Sequence, residues 1–220
     1  MHRFYAPKTS IDGDRVTLGE TEAHHLRDVL RHSVGDEIRV FDGDGGEYQC
    51  RVEAVAKWSA NLSIIARVEP SAPESSLDLT IAAALLKGEK FDLVIKKCVE
   101  LGVTRLVPLI TQRCDVRPKD GAKKGERWQK MVIDASRQCG RATLMAMDEH
   151  VDFGEFVKKG PTDGSRIMFS EREGREFDTQ TLPQKLTAFV GPEGGWDDRE
   201  ISVAAENGID IVTFGGRILR

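Results

Sequence analysis

Residues 189–196 read FVGPEGGW: three glycines, a proline and one carboxylate in eight positions. Gly191, Gly194 and Gly195 beside Pro192 cannot form a helix interior, because glycine loses the most entropy on ordering and proline clashes with the preceding turn. The segment is therefore a shaped loop. KLTAFV before it suits a buried strand, and after it Asp197 or Asp198 can cap a helix in which Ile201, Ala204 and Ala205 recur until Gly208. Ligands of α/β proteins bind where a strand end meets a helix N-terminus, although a tight connection with no ligand has the same pattern. A second glycine pair, Gly215 and Gly216, follows the run DIVTF. Neither loop carries a phosphate-gripping lysine, so their backbone N–H and C=O groups suit adenine or another flat heterocycle better than a triphosphate.

Other chemistries lack their signatures. There is no GxxxxGK[ST] phosphate loop, no GxGxxG after the first strand of the second half and no GxSxG elbow. Cys50, Cys98, Cys114 and Cys139 stand singly and the five histidines form no HExxH, so reduced thiols and no metal are expected. The net charge of -4 over 220 residues excludes a generally basic nucleic-acid binder. Residues 87–141 nevertheless hold 14 lysines and arginines against 7 acids, a local balance of +7 that leaves -11 for the remainder. That stretch is either a solvated helix face or a surface for a polyanion.

The elements that must position these residues fall into two styles. Up to about residue 68, short strands are expected at 15–19, 37–43, 47–55 and 61–69, divided by the turn signal DGDGG. ETEAHHLRDVLRH (20–32) interrupts them as an amphipathic helix with Ala23, Leu26, Val29 and Leu30 on one stripe. This reads as a small, strongly curved β-barrel with one inserted helix. After the linker PSAPESS (70–76), strands and helices alternate, which implies a mainly parallel sheet covered by helices. In the first long helix Phe91, Val94, Ile95, Cys98, Val99 and Leu101 form the apolar face. Two domains joined near residue 70 follow. No apolar run approaches a membrane span and MHRFYAP lacks a signal-peptide core, so a cytoplasmic protein with no membrane partner is expected.

Seven stretches in order, HRFY (2–5), HHLRDVLR (24–31), KGEKFDLVIKKCVELGV (87–103), PLITQRCDV (108–116), SRQCGR (136–141), VGPEGGW (190–196) and GGRILR (215–220), resemble the RsmE family. These are the SPOUT-class uridine-N3 methyltransferases of 16S ribosomal RNA. The resemblance spans nearly the whole chain. It implies a PUA-like RNA-binding barrel over 1–70 and, over 71–220, a SPOUT α/β methyltransferase domain threaded into a trefoil knot. S-adenosyl-L-methionine is the implied methyl donor, and the implied partners are 16S ribosomal RNA or the small subunit and a second copy in a homodimer. A SPOUT enzyme acting on another RNA site, or an inactive RNA-binding or assembly protein, carries the same motifs.

By position, the resemblance implies a cofactor site made of Phe169, Ser170, Val190, Gly191, Pro192, Glu193, Gly194, Gly195, Phe214, Gly215, Ile218 and Leu219. For catalysis it points to Glu193, as a proton acceptor or merely a cap on nearby N–H groups, and to Arg137 and Arg217 against developing negative charge. Arg3, Arg27, Arg31, Lys96, Lys97, Arg113, Arg137 and Gln138 are the implied RNA contacts. Two departures stand out. FGGRILR carries Phe214 and Gly216 where the family usually has leucine and a small or turn residue, and the family continues beyond the equivalent of Arg220 into a last helix that this sequence does not reach.

Overall fold

The computed structural model describes residues 1–116, 121–160, 163–172, 174–178 and 183–213, with the side chains of 121–124 excepted. Two compact units result: Met1–Glu74 with Ile133–Leu144, and Ser75–Val132 with Met145–Arg220. The segment 133–144, expected from the sequence to belong wholly to the second domain, packs with the first.

The first unit is a curled half-barrel. Its strands are β1 (Arg3–Tyr5), β2 (Ile11–Asp12), β3 (Arg15–Leu18), β4 (Glu37–Phe41), β5 (Glu47–Val55) and β6 (Ala60–Val68), in the order β1-β4-β5-β6-β3-β2. All neighbours are antiparallel except β1 on β4. Helix α1 (Glu20–His24) widens into a π-type turn over His25–Val29, shorter than the expected 20–32. Phe4, Leu18, Leu26, Ile38 and Leu62 meet in the core this sheet encloses.

The second unit is a parallel sheet. It holds β7 (Asp78–Ala84), β8 (Arg105–Ile110), β9 (Ala146–Met147), β10 (Val151–Asp152), β11 (Ser165–Phe169), β12 (Arg175–Glu176), β13 (Lys185–Val190) and β14 (Asp210–Thr213). The order is β10-β8-β7-β13-β11-β14-β12, with β9 beside β8, and every pairing is parallel. Side chains alternate across a strand, so Leu186 and Ala188 join Ile167 and Val212 on one face while Phe189 joins Trp196, Phe153 and Ile201 on the other.

Helices α2 (Lys90–Glu100), α3 (Gly121–Cys139), α4 (Phe153–Lys159) and α5 (Asp198–Glu206) complete the chain. Phe91, Ile95, Cys98 and Val99 are the buried face of α2, whereas Leu101, assigned to that face by periodicity, is 79% exposed. Gly102, at φ +82°, turns the chain there as only glycine does readily. Among the described residues, no helix is long and apolar enough to cross a membrane.

Candidate active site

Three parallel strands end level beside one another. Met168 pairs with Phe189 and Phe169 with Val212, so β11 ends between β13 and β14, and the loops after β11 and β13 leave the sheet side by side. The loop after β13 is the glycine-rich one, closed by Gly195 N–H donating to the Pro192 carbonyl at 2.9 Å. Two of its three glycines sit in close packing. A Cβ on Gly191 would come within 3.0 Å of the Trp196 indole, and one on Gly195, at φ +68°, within 2.3 Å of the Glu171 carboxylate. Val190, at the strand end, is 40% exposed and gives the loop an apolar flank.

Several long-range contacts hold this loop. The Trp196 indole, 1% exposed, donates Nε1–H to the Phe169 carbonyl at 2.8 Å and stitches the β13 loop to the end of β11. Arg172 donates to the Trp196 carbonyl at 2.5 Å and to Asp198 at 2.7 Å. Arg113 donates to the Gly194 carbonyl at 3.1 Å and approaches Asp197 at 3.5 Å. From the first turn of α2, Lys90 Nζ reaches Glu193 Oε1 at 2.9 Å, and this hydrogen bond holds the Glu193 carboxyl below the usual range.

The helix that follows is locally encoded and globally tied. Asp197 and Glu200 form a capping box at the start of α5, and the nearly buried Glu200 also accepts from the Gln112 backbone N–H at 2.8 Å. One carboxylate thus fixes both the α5 N-terminus and the segment after β8.

Of the residues expected at the cofactor, the structure gathers Phe169, Ser170 and Val190–Gly195 at these strand ends. Ser170 is buried, and Phe169 turns its ring against Phe177 while its carbonyl serves Trp196. Phe214, Gly215, Arg217, Ile218 and Leu219 lie outside the described residues, as does the threaded path implied for that end of the chain.

The expected RNA contacts divide. Arg31, Lys96, Lys97 and Gln138 are exposed, with Lys97 paired to Glu100 at 2.6 Å. Arg3 is engaged within the first unit. It grips Glu47 at 3.0 and 3.1 Å, stands 4.7 Å over the Phe41 ring and donates to the carbonyls of Ser136, Arg137 and Arg141. It thereby serves the Arg137 carbonyl in the last turn of α3 and adds a second donor to that of Ser136, which also accepts from Gly140 N–H. Arg137 likewise turns its two terminal nitrogens to Glu22 and Asp134 within the first unit, while its Nε–H is buried without a hydrogen-bond partner among the described residues. Arg27 is bonded to Asp28 and to the carbonyls of Ala56 and Lys57. Arg113 is exposed but engaged at the glycine loop.

Sequence reasoning missed Lys90, Glu171 and Arg172 as loop partners. Local pattern holds no signal for Lys90 on Glu193, whereas Trp196, immediately after the glycine pair, was legible as part of the motif.

Comparison with known proteins agrees with this geometry. Residues 73–220 match the family model of an RNA methyltransferase domain and residues 18–65 that of an RNA methyltransferase PUA domain. The Ribosomal RNA small subunit methyltransferase E of Synechocystis is 36% identical, over 98% of this chain and 71% of its own length. That of Aquifex aeolicus is 28% identical over 100% of this chain and 93% of its own. The crystal structure of the Neisseria gonorrhoeae enzyme bound to S-adenosyl methionine superposes with a TM-score of 0.89 at 33% identity, covering 100% of this chain and 91% of that one. A Legionella pneumophila methyltransferase with the same cofactor gives 0.89 at 30% identity, covering 99% and 90%. A family model covering two thirds of the sequence, relatives matched along nearly its full length and the glycine loop at level strand ends lead to one conclusion: the chain belongs to the ribosomal RNA small subunit methyltransferase E family.

Proposed function

We propose that this protein transfers the methyl group of S-adenosylmethionine to N3 of one uridine in 16S ribosomal RNA of the small subunit. The observation that carries this reading is the glycine cradle at 191–195, set at level strand ends in a chain that superposes on relatives solved with that cofactor.

The residues present fit the adenosine end of S-adenosylmethionine. Gly191 and Gly195 leave little room for side chains of their own, Val190 offers an apolar flank, and the lysine beside the loop, Lys90, is paired with Glu193 rather than set for a phosphate. When bound, the cofactor supplies a methyl group on a sulfonium, open to in-line attack. Uracil N3 carries a proton, so the site must accept it and hold the charge that spreads to O2 and O4. Glu193, kept ionised by Lys90, is a weakened proton acceptor, and its pairing supports a role in setting the loop. Arg113, through the Gly194 carbonyl, supports the same loop from the β8 side.

The roles of Phe214, Gly215, Arg217, Ile218 and Leu219 rest on the family motif, as does the homodimer. Sedimentation of the full chain at two concentrations tests the dimer.

The activity is tested by incubating the full chain with labelled S-adenosylmethionine and unmethylated small subunits, then digesting the RNA. Label in N3-methyluridine at one position is expected. Label in a ribose-methylated nucleoside would replace the substrate reading, and absence of label despite measured cofactor binding would leave an RNA-binding protein.

A further inference from the structure

The connection between β5 and β6, residues 56–59, carries the largest exposed apolar side chain among the described residues. Trp58 is 59% exposed, whereas Trp128 and Trp196 are 4% and 1% exposed. Leaving an indole in water forfeits one of the most favourable burials available to a side chain.

The tip is nevertheless held firmly. Ala56 N–H donates to the Ser59 carbonyl at 2.9 Å, and Arg27 donates to the carbonyls of Ala56 and Lys57 at 2.9 and 3.0 Å. Arg27 is itself gripped by Asp28 at 2.8 and 2.5 Å, and Asp28 bonds His24 at 2.5 Å. At the base of the hairpin, Val55 packs on the half-barrel core. Lys57 Nζ stands 4.5 Å from the Trp58 ring centroid.

We propose that this tip is a stacking contact for an unpaired base of the ribosomal RNA substrate, with Trp58 offering the aromatic face and Lys57 the charge for an adjacent phosphate. The proposal rests on the reading of the chain as a ribosomal RNA methyltransferase. Two features favour RNA over a protein partner. The tip lies within the segment that matches an RNA methyltransferase PUA domain. The contact on the indole is an ammonium, Lys57 Nζ, which suits a phosphate beside a stacked base. Residues 1–74 hold nine lysines and arginines against thirteen acids, so this segment has no general positive field with which to hold RNA. Base stacking needs no such field, and it tolerates any base because each has a π-face.

The test uses the full chain and protein-free, unmethylated small-subunit RNA. With two tryptophans buried, emission accessible to acrylamide belongs to Trp58, and RNA is expected to quench it and shield it from acrylamide. Trp58→Ala is expected to raise KM for the RNA about ten-fold, with kcat, cofactor affinity and the urea midpoint unchanged. Trp58→Phe should recover part of the loss, and Lys57→Ala should lower the salt slope of binding by about one.

An unchanged KM for Trp58→Ala, in a wild type that methylates the RNA, overturns the proposal and leaves the activity standing. Shielding by assembled subunits but not by naked RNA overturns it in favour of a ribosomal protein contact. Shielding that grows with protein concentration in the absence of RNA overturns it in favour of self-association. If the wild type methylates no small-subunit RNA, the parent reading fails, and the fluorescence titration still decides whether Trp58 meets RNA.

Discussion

Lys90 and Glu193, 103 residues apart in sequence, meet at 2.9 Å, so the first turn of α2 is tied to the glycine-rich loop that follows β13. Both side chains are more than half exposed, so solvent screens the pair and its direct worth is small. Its effect is positional, because it connects two elements that flank the loop.

Replacing Lys90 by methionine should therefore leave the fold intact and weaken cofactor binding by a few-fold. The Glu193 carboxyl, held down by Lys90, should titrate nearer its ordinary value of 4.5 in the variant. A depressed folded value means that the pair's contribution is in place above the ordinary value and is lost as pH falls through the lowered one. NMR titration of the Glu193 carboxyl in both proteins checks the shift, and an unmoved titration would rule out Lys90 as its cause.

Gly195→Ala should be the most damaging single-methyl change in the loop. At φ +68° an alanine strains the backbone, and its Cβ would also displace the flexible Glu171 carboxylate, 2.3 Å away. A ten-fold or greater loss of cofactor affinity by calorimetry is expected. Gly208→Ala, also at a positive φ of +72° but with nothing within 4 Å, should cost stability about 1 kcal/mol and leave cofactor affinity unchanged.

Arg3→Met should destabilise the first unit by about 2–3 kcal/mol, because it leaves the fully buried Glu47 with only the longer 3.5 Å contact to Arg39 and removes donors from the carbonyls of Ser136 and Arg137. Adding Glu47→Leu should recover a good part of that loss by removing the poorly paired charge. Denaturant melts of the three variants form the cycle, and equal losses in the single and double variants would show that the carbonyl contacts, not the ion pair, carry the energy.

Burial pushes the Cys50 thiol up to about 12 and the Cys98 thiol up to about 11, from an ordinary 9.0. The folded state thus keeps protons that the unfolded chain gives up, so their contribution to stability is complete below pH 9 and drains away as pH rises toward the folded values. Urea midpoints should fall less between pH 8 and pH 10.5 in a Cys50→Ala, Cys98→Ala variant than in wild type. Both thiols should also resist alkylation at pH 8 until the chain unfolds.

Much of this protein was legible in its sequence because the signals are local. The alternation in 47–55 gives β5 its bounds, Asp197 and Glu200 announce the start of α5, and the glycines of 191–195 demand a loop whatever surrounds them. The ordered motifs carried the family. Elements too short for a periodic pattern escaped, such as β1, three residues long, and α4, whose Asp152 cap was the one available cue.

Partner choice was decided only by the tertiary structure. Arg3 and Arg137 have the composition of RNA contacts, yet the fold brings Glu47 to the first and Glu22 to the second, and both guanidinium groups make their ion pairs within the first unit. Lys90, on the polar face of its helix, and Arg113, expected at RNA, are both drawn to the glycine loop that the parallel sheet sets beside them. A residue's type limits the bonds it can make, but chain segments a hundred residues away determine which of them it makes.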